Sequence, residues 1–301
     1  MDWRYPSLLH SVQHGMMIIA SDYSGQHQHA SHEAHSFVVT TADAVHDWQP
    51  IRTAFRKRWL PDGRRISFKK LSKPRLRRAL APFLVSAAAL RGNAITFLID
   101  HRIESMMEGG ADALMEAFPD CFPPGTPKGT VEKMFRLASL LALLITGLRR
   151  EDQISRWISD HDETLETFDR RERFARLCAY VSFLMSGWAH PADNEFCTTE
   201  HPATPEWAED LLSICDVLAG SYCQLSSSIP ASCGSELWTR IVPSVNVESR
   251  AREVGTWLCS ARGNLRHILL RLELDHSGLP RASAQFFAGA FNAQPQVVWH
   301  P

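Results

Sequence analysis

The sequence predicts an α/β protein, a mixed β-sheet covered by helices. Apolar, β-branched runs stand at 15–21 (GMMIIAS), 36–42 (SFVVTTA), 94–100 (AITFLID) and 153–160 (QISRWISD), each of strand length. Longer stretches with helical spacing separate the later runs. Strands that follow one another early and alternate with helices later are the order that builds a mixed sheet rather than a sandwich or a bundle.

The first run is stopped by Asp22 and Gly25, so runs one and two read as a hairpin whose tip is the histidine-rich segment. After Asp43 a helix through Trp48, Ile51, Phe55 and Trp59 is expected to end at Pro61-Asp62-Gly63. Residues 64–71 (RRISFKKL) alternate well enough for a third strand with Ile66 and Phe68 on one face. Ser72 is the expected N-cap of a helix with Pro74 in its first turn, closed near Leu90 by Gly92-Asn93. AITFLID reads as a buried parallel strand. A proline-rich loop (Pro119, Pro123, Pro124, Pro127), an apolar helix over 130–148, the QISRWISD strand and a helix from Phe168 to Gly187 follow. Thr204-Pro205-Glu206 then opens a helix reaching about Leu225. The sum is a mixed five-stranded sheet within residues 1–226, with 227–301 as a partly helical appendage carrying a helix near 250–272.

Composition narrows the function. With 301 residues, 45% of them hydrophobic and 22% charged, the chain belongs to the globular class. MDWRYPSLLH lacks the pattern of a secretory signal, and the longest apolar run, Leu137 to Leu148, contains Ser139 and Thr146 and is too short to span a bilayer. A cytoplasmic protein with no membrane partner is expected. Seven cysteines without a C-x-x-C pair fit neither a disulfide framework nor a ribbon or finger zinc site. The net charge is −1, yet residues 52–78 hold twelve Lys or Arg against one acid, Asp62, a local basic field suited to phosphate.

Three predicted strands end on aspartate: Asp22, Asp100 and Asp160. In open sheets the carboxyl ends of strands form the ligand crevice, where acids remote in sequence converge. Asp216 borders the buried side of the 205–225 helix, which is costly for a carboxylate without a partner. Clustered carboxylates call for a cation, and hard oxygen ligands suit Mg²⁺ or Mn²⁺, ions that serve phosphoryl transfer. The other reading of strand-end aspartates is as turn and cap residues.

The order of elements and the placement of the acids resemble the ribonuclease H-like fold, and more narrowly the bacterial family DUF3800. Asp22-Tyr23-Ser24-Gly25 is similar to its Asp-Glu-Ser-Gly motif, Ile66 to Leu71 to its "i-K-W-s-K-L" strand, Phe97-Leu98-Ile99-Asp100 to its "viiD" strand, and Ser213 to Gly220 to its "Q-x-A-D-l-x-A-G" helix. The resemblance covers about residues 15–226. It implies a divalent-metal-dependent nuclease acting on DNA or RNA, with Asp22, Asp100 and Asp216 as metal ligands, Asp160 as a supporting acid, and Mg²⁺ or Mn²⁺ as cofactor. Lys69, Lys70 and Arg75 are the candidate phosphate contacts, a solvated basic surface being the alternative. Tyr23 stands where the family has glutamate, Ser67-Phe68 where it has Lys-Trp, and Arg65 where a further acid is expected. These departures point to a second possibility, a catalytically inactive scaffold that binds nucleic acid or a protein partner in a defence or mobile-element system.

His27, His29, His32 and His35 offer enough ligands for zinc, but no helical H-x3-H pair or cysteine fixes their geometry. They read as a solvated hairpin tip, with His27 or His29 as a proton carrier. Cys121, Cys215 and Ser24 lack the histidine and acid that would make any of them a nucleophile.

Overall fold

The structure is a computed structural model and describes residues 15–25, 30–105, 110–148, 154–160, 167–187, 194–198, 204–226, 228–229, 238, 242–244, 246–260, 263–275, 277–287 and 298–299. The chain begins with β1 (Met17–Ser24), β2 (His32–Thr41), α1 (Ala42–Trp59), a 3-10 helix (Phe68–Ser72), α2 (Pro74–Ala88) and β3 (Gly92–Asp100). There follow α3 (His101–Ser105), α4 (Gly110–Ala117), α5 (Lys128–Leu148), β4 (Ser155–Ser159), α6 (Phe168–Ser186), β5 (Asn194–Thr198) and α7 (Glu206–Ser226). A short 3-10 turn (Val242–Ser244), α8 (Ser249–Ser260), β6 (Leu265–Leu274), β7 (Pro280–Phe287) and β8 (Val298–Trp299) complete it. The chain forms two compact units, 1–18 with 104–204 and 19–103 with 205–301.

The second unit holds a six-stranded mixed open sheet in the order β1-β2-β3-β6-β7-β8, flanked by helices. The α/β class is therefore as expected, but only β1, β2 and β3 of these six strands were among the five predicted. β2 and β3 are antiparallel with His32 opposite Asp100, β3 and β6 are parallel, and β6 and β7 are antiparallel. β3 lies between two neighbours and is buried from Ala94 to Asp100, which explains its unbroken apolar run. AITFLID is thus parallel to one neighbour only.

Local rules account for the helices around this sheet. Thr41 Oγ1 caps α1 by accepting from the Ala44 N–H at 3.3 Å, Asp43 lies in its first turn, and Arg56, Lys57 and Arg58 lie in its last, matching the helix dipole at both ends. The Trp48 indole donates to the Ser86 carbonyl at 2.8 Å and the Phe55 and Phe83 rings meet at 5.7 Å, so α1 packs on α2. α7 opens after Pro205 with Glu206 and Glu209 in its first turn and packs across β2 and β3 through a face that includes Leu211, Ile214, Cys215 and Leu218, all buried.

Two expectations are corrected here. Residues 64–71 form no strand: 64–67 are irregular and Phe68–Ser72 is a 3-10 helix. Buried Phe68 and Leu71 stand three apart, the spacing that shares one side of a 3-10 turn, and this defeats the period-two reading. Residues 227–301 are no appendage either, because they supply α8 and three strands of the sheet. Leu265 to Arg271 alternate buried and less buried positions in strand fashion, whereas a helix was expected to continue to 272. The helix ends at Ser260, and the chain then returns against α2, where the Asn264 N–H donates to the Ala88 carbonyl at 2.8 Å. Gly263 lies so close to Ala88 that a Cβ would overlap its carbonyl oxygen.

The first unit contains α4, α5, α6 and the parallel pair β4 and β5. Trp157 of β4 packs on Phe174 of α6 with ring centroids 5.1 Å apart. Thr167 Oγ1 caps α6 by accepting from the Arg170 N–H at 3.2 Å, and Gly187 ends it at φ 72°, a conformation that favours glycine. β5 was not expected from the sequence. No described helix is long and apolar enough to cross a membrane.

Candidate functional site

β1 turns at Gly25, whose φ is 98°. A Cβ there would overlap the His32 carbonyl oxygen and press on the Cys223 sulfur, so only glycine lets α7 approach this end of the hairpin so closely. The Cys223 thiol donates to the Ser24 carbonyl at 3.3 Å, and the Cys215 thiol to the Ala20 carbonyl at 3.3 Å. Between these two contacts lies Asp22, and Asp216 follows Cys215 on α7.

The segment 65–68 supplies a donor to each of these two acids. Arg65 Nη2 donates to Asp22 Oδ2 at 3.0 Å, while Asp22 Oδ1 accepts its neighbour Tyr23 N–H at 2.8 Å. Arg65 Nε also lies 3.8 Å from Glu209 Oε2 of α7. The Phe68 N–H donates to Asp216 Oδ2 at 2.8 Å. Burial pushes the Cys215 thiol far above its ordinary range, the Asp22 carboxylate and more weakly Asp216 adding to the rise while Arg65 opposes it. Cys215 is a packed, unreactive thiol. Burial likewise pushes Cys121 up to about 11.

Asp100 belongs to a different cluster. Neighbouring strands lie about 4.8 Å apart, and β2 stands between β1 and β3. Both Asp100 oxygens accept from Arg102: Oδ1 from its backbone N–H at 2.9 Å, Oδ2 from Nη2 at 2.6 Å. Burial alone would raise the Asp100 carboxyl, but the Arg102 hydrogen bonds and charge, helped by His32, hold it below the usual carboxylate range. His32 Nε2 is 3.4 Å from Glu273 Oε1, and Arg271 Nε donates to that same oxygen at 2.8 Å. His35, buried in β2, lies 3.2 Å from Glu33 and touches the Tyr23 ring at 5.8 Å. The histidine segment is therefore no solvated tip at His32 and His35, which are sheet residues; His27 and His29 lie outside the described residues. Asp160 directly follows β4 in the first unit.

Half of the basic stretch is paired with acids. Six of its twelve cations meet acids: Arg52 and Arg56 reach Asp210, Arg64 and Arg75 reach Asp62, Arg65 reaches Asp22, and Arg77 reaches Glu253. Arg75, a candidate phosphate contact, is thus spoken for at 2.8 Å. Lys69 and Lys70 are exposed on the 3-10 helix rather than on a strand, and Lys73 is exposed just before α2. None of the three lysines has an acidic partner among the described residues. Lys73 lies beyond the strand expected at 64–71, and nothing in its sequence context distinguishes it from the other cations of the stretch.

The donor set does not suit a divalent cation. Among the described residues no group of three or more His, Cys, Asp or Glu side chains gathers closely enough to hold a metal ion. Guanidinium groups of Arg65 and Arg102 are set against Asp22 and Asp100, and the Phe68 N–H takes one oxygen of Asp216, so these acids already spend lone pairs that a metal would use. The sequence matches no family model and no curated protein.

Proposed function

We propose that this chain is a nucleic-acid-binding scaffold of the ribonuclease H-like kind, related to DUF3800 and without a divalent-metal cleavage centre. One observation carries the reading: Arg65, standing where a further acid is expected, places its guanidinium on Asp22. A fixed cation of that kind neutralises the carboxylate, but it cannot activate a water or take an open coordination position. The kinship draws support from three strands adjacent in chain order, from the parallel β4 and β5 joined by α6, and from the glycine of Asp22-Tyr23-Ser24-Gly25 adopting a turn that only glycine tolerates.

Binding rests on Lys69, Lys70 and Lys73. Ammonium groups without acidic partners contact phosphate oxygens as point charges, which gives sequence-independent and salt-sensitive affinity. Replacing all three by alanine is expected to weaken binding to DNA and RNA oligonucleotides alike and to flatten the slope of log K against log salt by about one per lysine. Arg75→Ala should change that slope far less, because Asp62 already holds the side chain. Fluorescence polarisation across a salt series checks both, and an unchanged slope in the triple variant returns these lysines to a merely solvated surface.

A further inference from the structure

We infer that Asp216, Gly220 and Arg250 are positioning residues that hold the Phe68–Ser72 turn as a preformed grip for phosphodiester backbone, with Lys69 and Lys70 as its contacting groups. The inference rests on the nucleic-acid reading above and assigns Asp216 a role other than metal ligand.

A short 3-10 helix leaves its first N–H groups without internal partners, and Ser67 provides no side-chain cap. Asp216 fills that need from another element by accepting the Phe68 N–H at 2.8 Å. One turn further along α7, Gly220 lies against the Phe68 ring so closely that a Cβ would overlap it. Arg250 of α8 stacks its guanidinium 4.4 Å from the Phe68 ring centroid. Its Nη1 donates to the Phe68 carbonyl at 2.6 Å and to the Lys69 carbonyl at 3.2 Å. Arg250 is itself held by Glu248 at 2.5 Å, and Gln224 of α7 donates to the same carboxylate at 3.0 Å.

The backbone of the turn is therefore fastened at the Phe68 amide, the Phe68 ring and two consecutive carbonyls, while Lys69 and Lys70 face solvent. A loop that must order on binding loses affinity to conformational entropy, and a turn ordered beforehand does not. Phosphate contacts set the position of a protein on nucleic acid without reading bases, so the class of ligand is the phosphodiester backbone.

The role assigned to Asp216 makes a distinctive demand. An N–H needs only an acceptor, so Asp216→Asn keeps the function, whereas Asp216→Ala removes it; a metal ligand would tolerate neither. The experiment measures binding of fluorescein-labelled 20-nucleotide DNA and RNA by polarisation, and amide hydrogen exchange over residues 66–72 in the free protein. Asp216→Ala and Arg250→Ala are expected to weaken binding about 5–10-fold, in line with the loss of one buried hydrogen bond, and to speed exchange at Phe68. Asp216→Ala should leave the salt slope unchanged because no lysine is lost, and Asp216→Asn should match the wild type in both readouts. Wild-type melting behaviour in each variant confirms that the fold survives. Equal losses for Asp216→Asn and Asp216→Ala, or fast exchange at Phe68 with undiminished affinity, would overturn the inference. A wild-type protein that binds neither oligonucleotide overturns the nucleic-acid reading and the grip with it, whereas Phe68 exchange unaffected by Asp216→Ala overturns the positioning role by itself.

Discussion

Replacing Asp210 by alanine is expected to destabilise the protein by about 3–5 kcal/mol, the range measured when one partner of a buried ion pair is removed. Asp210 is 1% exposed and accepts from Arg52 Nε at 2.5 Å and from Arg56 through both of its oxygens. Arg52 also donates to the Glu206 carbonyl at 2.9 Å, so one carboxylate ties α1 to the start of α7. Without it Arg56 loses its acidic partner and Arg52 keeps only the exposed Glu206 carboxylate, 3.9 Å away. Urea unfolding of Asp210→Ala checks the magnitude. A loss below about 1 kcal/mol, the typical value for an exposed pair, would mean that the arginines escape to solvent and that this junction is not what fixes α7 over the sheet.

The second large effect concerns acid. His267 of β6 is buried beside Trp257, with ring centroids 4.5 Å apart, and burial pushes its imidazole down to about 3. The unfolded chain takes up a proton near pH 6.5 that the folded chain refuses. Stability from this residue is thus complete above about pH 6.5 and is lost progressively as pH falls toward 3. A tenfold change in protonation is worth about 1.4 kcal/mol, so the full loss approaches roughly 5 kcal/mol. Between about pH 6.5 and 5.5 the carboxylates are still largely ionised, and comparison with a variant lacking His267 separates its contribution from that of the other histidines. His267→Leu should flatten the stability profile in that window, as followed by urea midpoints at fixed pH. A variant that keeps the wild-type slope there would show that His267 is protonated or solvated in the native state.

Much of the fold was legible because periodicity reports burial. β1, β2, β3 and β4 stand as apolar runs of strand length, and α5, α6 and α7 carry caps or proline starts at their ends. The failures have physical causes. Ile66, Phe68 and Leu71 satisfy an alternating pattern in part and a three-residue spacing in part, and contacts to Gly220 and Arg250, remote in sequence, decide for the 3-10 turn. LRHILLRLEL hides a strand behind a buried histidine and a buried arginine, His267 and Arg271, residues that sequence reasoning assigns to a surface helix. Arg271 is tolerated there because Glu273 and the Ile229 carbonyl receive it.

The candidate site was legible as positions but not as partnerships. Asp22, Asp100 and Asp216 each stand where a strand end or helix face suggested a special role. What holds them was hidden: Arg102 two residues beyond Asp100, Arg65 forty-three residues from Asp22, and the backbone N–H of Phe68 on Asp216. Arg65 was visible as a departure from the DUF3800 pattern that the sequence resembles, and its meaning emerges only when the chain folds it onto Asp22. That Arg52, Arg56, Arg64, Arg75 and Arg77 are taken up by acids likewise depends on Asp62, Asp210 and Glu253, two of them far away along the chain.

On the proposed reading, arginine side chains rather than a bound cation balance the charge of Asp22 and Asp100, while Asp216 is held by the Phe68 N–H. The most direct test is titration of Mn²⁺ with the wild-type protein, followed by the electron paramagnetic resonance signal of the free ion. The free-ion signal is expected to be undiminished by stoichiometric protein at micromolar Mn²⁺. Stoichiometric loss of that signal in the wild type, restored by Asp22→Asn, would contradict it and return Asp22 to the role of metal ligand in a nuclease.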